Sequence, residues 1–196
     1  MHALEVQRNG ETLAVVGASN ALMFAAHVNA AIEEAGATLD LRGMLDLGDE
    51  RTSHVSWLQL SQLQRGDLLN FRFFESEVVS SPRDEVATDS EEHIAEQAEF
   101  EEELKSNPPA PRYIEARQPD VTLLLNISGN EPITATLESG RQFIAFRVLW
   151  NQWSPERCRL SLSSFSQQEG LARTGGKDWF QGTLEVGDQC AVKIGA

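Results

Sequence analysis

Arg141-Gln142-Phe143-Ile144-Ala145-Phe146-Arg147-Val148-Leu149-Trp150-Asn151-Gln152 is the stretch on which the fold turns. Phe, Ile, Val and Trp crowd it, and such side chains suit a pleated, half-buried surface, so it reads as a strand. A related pattern stands 120 residues closer to the N-terminus, where Met23-Phe24-Ala25-Ala26-His27-Val28 answers Phe143-Ile144-Ala145-Phe146-Arg147-Val148. That N-terminal segment is ambiguous by itself. From Ala21 to Ala35 it is rich in Ala and Glu, which favours helix, and Ser19 could cap one. If both segments share one fold, Leu22 to Asn29 is extended against its local preference. A short helix at Ala30–Ala35, ended by Gly36, then reconciles the two signals.

Three more matches keep the same order. Leu39-Asp40-Leu41 answers Leu160-Ser161-Leu162, Trp57-Leu58-Gln59 answers Trp179-Phe180-Gln181, and Gly66-Asp67 answers Gly187-Asp188. Their offsets are 121, 122 and 121. Four matches in register predict one small unit used twice. Each copy contains about six short strands separated by turns, with no crossover helices between them. This pattern predicts antiparallel sheets, and the expected fold is mainly β: two tandem homologous β-barrel or β-sandwich domains. The expected boundaries are 1–76 for copy one, 77–119 for an acidic, partly helical and Pro-rich linker, and 120–196 for copy two. A unit of this size buries only about 60–65% of its unfolded surface, so an interface between the copies is expected.

Turn chemistry supports the strand assignment. Asn9-Gly10 is a strong hairpin signal, and Gly66 and Gly187 supply positive φ before the last strand of each copy. Asp67 and Asp188 are expected to cap backbone N–H groups at those turns. Residues 46–54 read as a polar loop. The only cysteines, Cys158 and Cys190, lie in strand-like runs and read as buried thiols without a disulfide.

The chain carries a net charge of −14, concentrated in the connector. Between residues 75 and 107 twelve acids face only Arg83 and Lys105, a local balance of −10. The two copies are therefore only mildly acidic, and a nucleic-acid partner would call for the opposite sign. Asp89-Ser90-Glu91-Glu92-His93-Ile94 reads as the start of a solvated helix reaching Leu104 or Lys105, closed by Asn107-Pro108-Pro109. No apolar run approaches the length of a membrane span, and the N-terminal residues lack the pattern of a signal peptide. A cytoplasmic protein is expected.

No Gly-x-Ser-x-Gly, His-Glu-x-x-His or phosphate-cradling glycine loop occurs, and no metal or cofactor is expected. An active site, if one exists, would pair His54 with Asp49 or Glu50 in a cleft between the copies. Trp150 and Trp153 have no counterpart in copy one. With Asn151 and Gln152 they form a candidate partner-binding turn, which could equally stack on a sugar. Glu96, Glu99, Glu101, Glu102 and Glu103 form the candidate acidic arm. The leading expectation is a non-catalytic protein-binding module, of inhibitor, immunity or adaptor type, that engages a basic protein. The alternatives are a carbohydrate or small-ligand binder using Trp150 and Trp153, and a hydrolase.

Overall fold

A computed structural model describes residues 1–31, 37–106, 122–137, 140–172 and 176–195. In chain order the strands of the first half are β1 (His2–Arg8), β2 (Glu11–Val16), β3 (Ala21–Ala31), β4 (Ala37–Gly48), β5 (Arg51–Leu63) and β6 (Leu68–Glu75). A short strand β7 (Asp84–Ala87) and helix α1 (Glu91–Ser106) follow. The second half has β8 (Thr122–Ile127), β9 (Ile133–Thr136), β10 (Phe143–Asn151), β11 (Arg157–Phe165), helix α2 (Gln167–Ala172), β12 (Lys177–Glu185) and β13 (Gln189–Gly195).

The strands form two antiparallel sheets, ordered β2-β1-β6-β13-β8-β9 and β12-β11-β10-β3-β4-β5-β7. Each sheet is open, so the closed barrel does not describe the chain, and each sheet takes strands from both halves rather than from one. One continuous core lies between the sheets. It draws Leu4, Phe71, Phe73, Val192 and Ile194 from the six-stranded sheet, and Phe24, Leu41, Phe146, Leu160 and Leu162 from the seven-stranded one. Phe71 and Phe146 meet across it with ring centroids 5.4 Å apart. A side chain of this size contributes about 1.5–3 kcal/mol when buried.

Strand order reads alike from either end, apart from β7. At the centre of the large sheet β3 pairs with β10, and His27 lies opposite Arg147, its match in the sequence pattern. At the centre of the small sheet β6 pairs with β13, and Asn70 lies opposite Ala191, again 121 positions on. The turns are exchanged as well. Gly66 donates its N–H to Ile194 O (2.8 Å) and Asp67 O accepts from Ile194 N (2.9 Å), while Gly187 donates to Phe73 O (2.8 Å) and Asp188 O accepts from Phe73 N (3.0 Å). Each half thus caps the last strand of the other.

The extended reading of Leu22 to Asn29 holds, since β3 covers it. Its inward residues Phe24, Ala26 and Val28 are buried among both sheets, and that burial outweighs the helix preference of alanine. The suggested helix at Ala30–Ala35 lies mostly outside the described residues. The 46–54 loop is instead a tight hairpin. β4 runs on to Gly48, β5 begins at Arg51, and Gly48, Asp49 and Glu50 all take positive φ (79°, 52° and 62°) to make the reversal. The connector holds a strand that the sequence did not suggest. β7 pairs with β5, setting Val86 opposite His54 and Asp84 opposite Ser56. Cys158 and Cys190 are buried and unpaired; burial raises both thiols, that of Cys190 to about 12.

Candidate functional site

Two places combine exposure with chemistry, helix α1 and a cleft at its root. Ser90 caps α1, its Oγ accepting the N–H of His93 at 3.2 Å. Glu91 and Glu92 occupy the first turn, where carboxylates favour the positive end of the helix. The helix buries no residue. Glu96, Glu99, Glu101, Glu102 and Glu103 all face solvent, as do Ile94 and Phe100. One pair, Lys105–Glu101 at 4.0 Å, offsets a little of this charge.

The helix is held at its N-terminal root. Arg51 pairs with Asp89 at 2.7 Å, Thr88 N–H donates to Thr52 O, and the ring of His93 lies 5.2 Å from that of His54. Between this root and the outer face of β4, β5 and β7 lies a cleft of about 420 Å³, lined by Asp40, Arg42, His54, Ser56, Asp84 and His93, with Leu60 and Val86 as apolar wall. Asp40 is buried and takes two contacts from the Arg42 guanidinium. The imidazole of His54 is held below its usual range by burial, by His93 and by Arg42. Across β3, His27 lies opposite Asp40, and its Nδ1 accepts a hydrogen bond from Arg147 Nε at 3.3 Å. Burial, then Arg147 and Arg42, push its imidazole down to about 4 against the pull of Asp40, so it is neutral at pH 7.

The rim carries a strained residue. The β4–β5 ladder breaks between Leu39 and Leu41, and Leu60 takes φ +41° while remaining 64% exposed. A bulky residue with positive φ is an outlier. Strain of this kind collects at functional sites.

The structure separates the sequence-derived candidates. Trp153 is 74% exposed at the β10–β11 turn, but Trp150 is 7% exposed, stacked on Phe24 at 4.7 Å with its Nε1–H donated to Pro155 O at 2.9 Å. Trp150 belongs to the core, and Trp153 alone of the two presents a ring to solvent. Asn151 is also buried, its Oδ1 accepting the Trp153 N–H at 3.1 Å, whereas Gln152 is exposed. His54 is on a strand rather than a loop, and its ring neighbour is His93; Asp49 and Glu50 sit at the hairpin tip. The cleft lies wholly in residues 40–93 rather than between the halves. A second depression, polar and about 410 Å³, does cross the β6–β13 junction, where Glu5 pairs with Arg72 at 2.9 Å.

Sequence reading missed Asp40, Arg42 and Asp84 as cleft residues. Asp40-x-Arg42 on an alternating strand does place both on one face, and that signal was available. Nothing local announced that β7 would bring up Asp84. Among the described residues no cluster of three or more His, Cys, Asp or Glu is arranged to hold a metal ion, and no helix is long and apolar enough to cross a membrane. No family model, curated protein or solved structure matches the chain.

Proposed function

We propose that the protein is a non-catalytic binding module that recruits a basic protein partner through α1. The observation that carries this reading is a sixteen-residue helix with seven glutamates, one lysine and no buried residue. A helix that contributes nothing to a core draws little stability from packing, so its charge and its exposed Phe100 are available to a partner. Concentrated carboxylates speed encounter with a cationic surface and make it sensitive to salt. Trp153 is a candidate second contact, a large ring already free of the core.

The test replaces Glu96, Glu99, Glu101, Glu102 and Glu103 by Gln and compares proteins retained from native lysate at low and high salt. Loss of a stoichiometric basic protein, greatest at low salt, supports the reading; equal retention by both forms contradicts it.

We also infer that the chain arose by internal duplication. The palindromic strand order, the matched central pairs and the exchanged turn hydrogen bonds support it.

A further inference from the structure

The floor of the cleft is set by strand pairing. Ser56 on β5 lies opposite Arg42 on β4 and opposite Asp84 on β7, so the three form one row across the sheet. Neighbouring strands are about 4.8 Å apart, which places the backbones of Arg42 and Asp84 on the order of 10 Å apart with the Ser56 side chain between them. A cation therefore stands at one end of the row and a carboxylate at the other.

Neither end is used up. Arg42 turns Nε and Nη2 toward Asp40, but a guanidinium has five N–H donors, and its side chain remains 62% exposed. The described contact of the Asp84 carboxylate is a long one, from Gln59 Nε2 at 3.5 Å. Leu60 and Val86 line the same space and give it an apolar wall. Leu60 takes its positive φ in the bulge that sets Gln59 and Leu60 against Asp40, and its side chain is left mostly exposed at the cleft.

The geometry points to a binding site for a free zwitterionic α-amino acid with a small apolar side chain. Its carboxylate meets Arg42, its ammonium meets Asp84, and its side chain lies against Leu60 and Val86. A simple anion would satisfy Arg42 but face Asp84, and a simple cation would do the reverse. A ligand with both charges answers both ends, and charge-assisted hydrogen bonds at each end fix its direction. A cleft of about 420 Å³ accommodates such a molecule together with water. This site stands independently of the partner assigned to α1.

The experiment is an amide NMR titration of the full chain with free leucine, with isopentylamine, which lacks the carboxylate, and with 4-methylpentanoate, which lacks the ammonium. Leucine is expected to give saturable shifts at residues 54–60, 84–86 and 93. Each half-ligand is expected to bind about tenfold more weakly or worse, the loss of about 1.4 kcal/mol for one ionic end. Asp84→Asn, at an exposed edge strand, is expected to weaken leucine by a similar factor and leave 4-methylpentanoate no weaker. Asp178→Asn, on β12, should change nothing. The proposal is overturned if no common amino acid gives saturable shifts in the cleft up to about 10 mM, a concentration matched to weak small-ligand binding. It is overturned equally if isopentylamine or 4-methylpentanoate binds as well as leucine.

Discussion

The two halves share a strand plan and differ in what stands at equivalent positions. Trp57 and Trp179 both sit where a ladder is bulged, between Leu41↔Leu58 and Arg42↔Ser56 in one half, and between Leu162↔Phe180 and Ser163↔Asp178 in the other. Trp57 is 2% exposed and donates Nε1–H to Ser80 O at 2.8 Å. Trp179 is half-buried, donates to Ser164 Oγ at 3.1 Å and lies under the Lys177 ammonium. The neighbour at the matching position explains the difference. It is Gly43 beside Trp57, where an added Cβ would come within 2.9 Å of the ring, and Ser164 beside Trp179. A missing side chain lets one indole sink into the core; a hydroxyl holds the other at the surface.

The outer edges differ too. The connector adds β7 to β5 and plants α1 above it, while the matching edge strand β12 ends its sheet. The cleft exists on one side because only that side was covered. At the shared centre, the first half supplies His27 and Asp40 where the second supplies Arg147 and Ser161. These side chains lie on the outer face of the sheet, away from the common core.

The largest contrast is expected at the tryptophans. Trp57→Ala should cost about 3–5 kcal/mol, as deletion of a buried aromatic ring does, and Trp179→Ala about 1–2 kcal/mol. Urea denaturation measures both; equal losses would break the comparison. The turn aspartates come next. Asp67 accepts from Gln64 N–H at 2.7 Å and Asn9 Nδ2 at 2.7 Å, and pairs with Arg8 at 2.6 Å, whereas Asp188 accepts from Glu185 N–H at 3.0 Å. Asp67→Ala should cost about 2–3 kcal/mol and Asp188→Ala about 1 kcal/mol. Burial pulls the Asp67 carboxyl up, but Gln64, Asn9 and Arg8 outweigh it and hold it below the usual range. Its contribution is therefore present above the unfolded value near 3.9, and is lost as pH falls through the lower folded value. Asp67→Ala should accordingly remove part of the acid sensitivity seen below pH of about 4.

His27 gives a contrast in pH dependence. Its folded value, about 4, lies below the unfolded 6.5, so the unfolded chain takes up a proton first and stability falls as pH drops from about 6.5 to about 4. His27→Gln should flatten that decline by about 3 kcal/mol in denaturation series at several pH values. The second half has Arg147 in place of this imidazole. The smallest effect is at Leu60, whose matching residue is Gly182. Leu60→Gly relieves the positive φ and should change stability by no more than about 1 kcal/mol, read as a shift in the denaturation midpoint.

Much of the fold was legible because its signals are local. Asn9 and Gly10 do take positive φ (53° and 87°), as do Gly66 and Gly187, and α1 begins where Ser90 predicts. Ser166 and Glu169 form a reciprocal capping box for α2, spelled in the sequence as Ser-x-x-Glu but too short a signal to stand out among strands. What stayed hidden depends on distant partners. Asp84-Glu85-Val86-Ala87 has poor strand chemistry and becomes β7 because the free edge of β5 offers it hydrogen bonds. Trp150 was a candidate contact because Asn and Gln follow it, with packing as the alternative; strand alternation puts it inward beside Phe24. Most of the cleft was illegible for the same reason, since it needs β4, β5, β7 and α1 together.

The central claim is that the halves are interlocked through both sheets around one core. A protease site placed within residues 107–121 of the full chain tests it by sedimentation after cleavage. The cleaved protein is predicted to remain a single 1:1 particle near the 21.7 kDa of the intact chain, with unchanged circular dichroism. Separation into two folded monomers would contradict it.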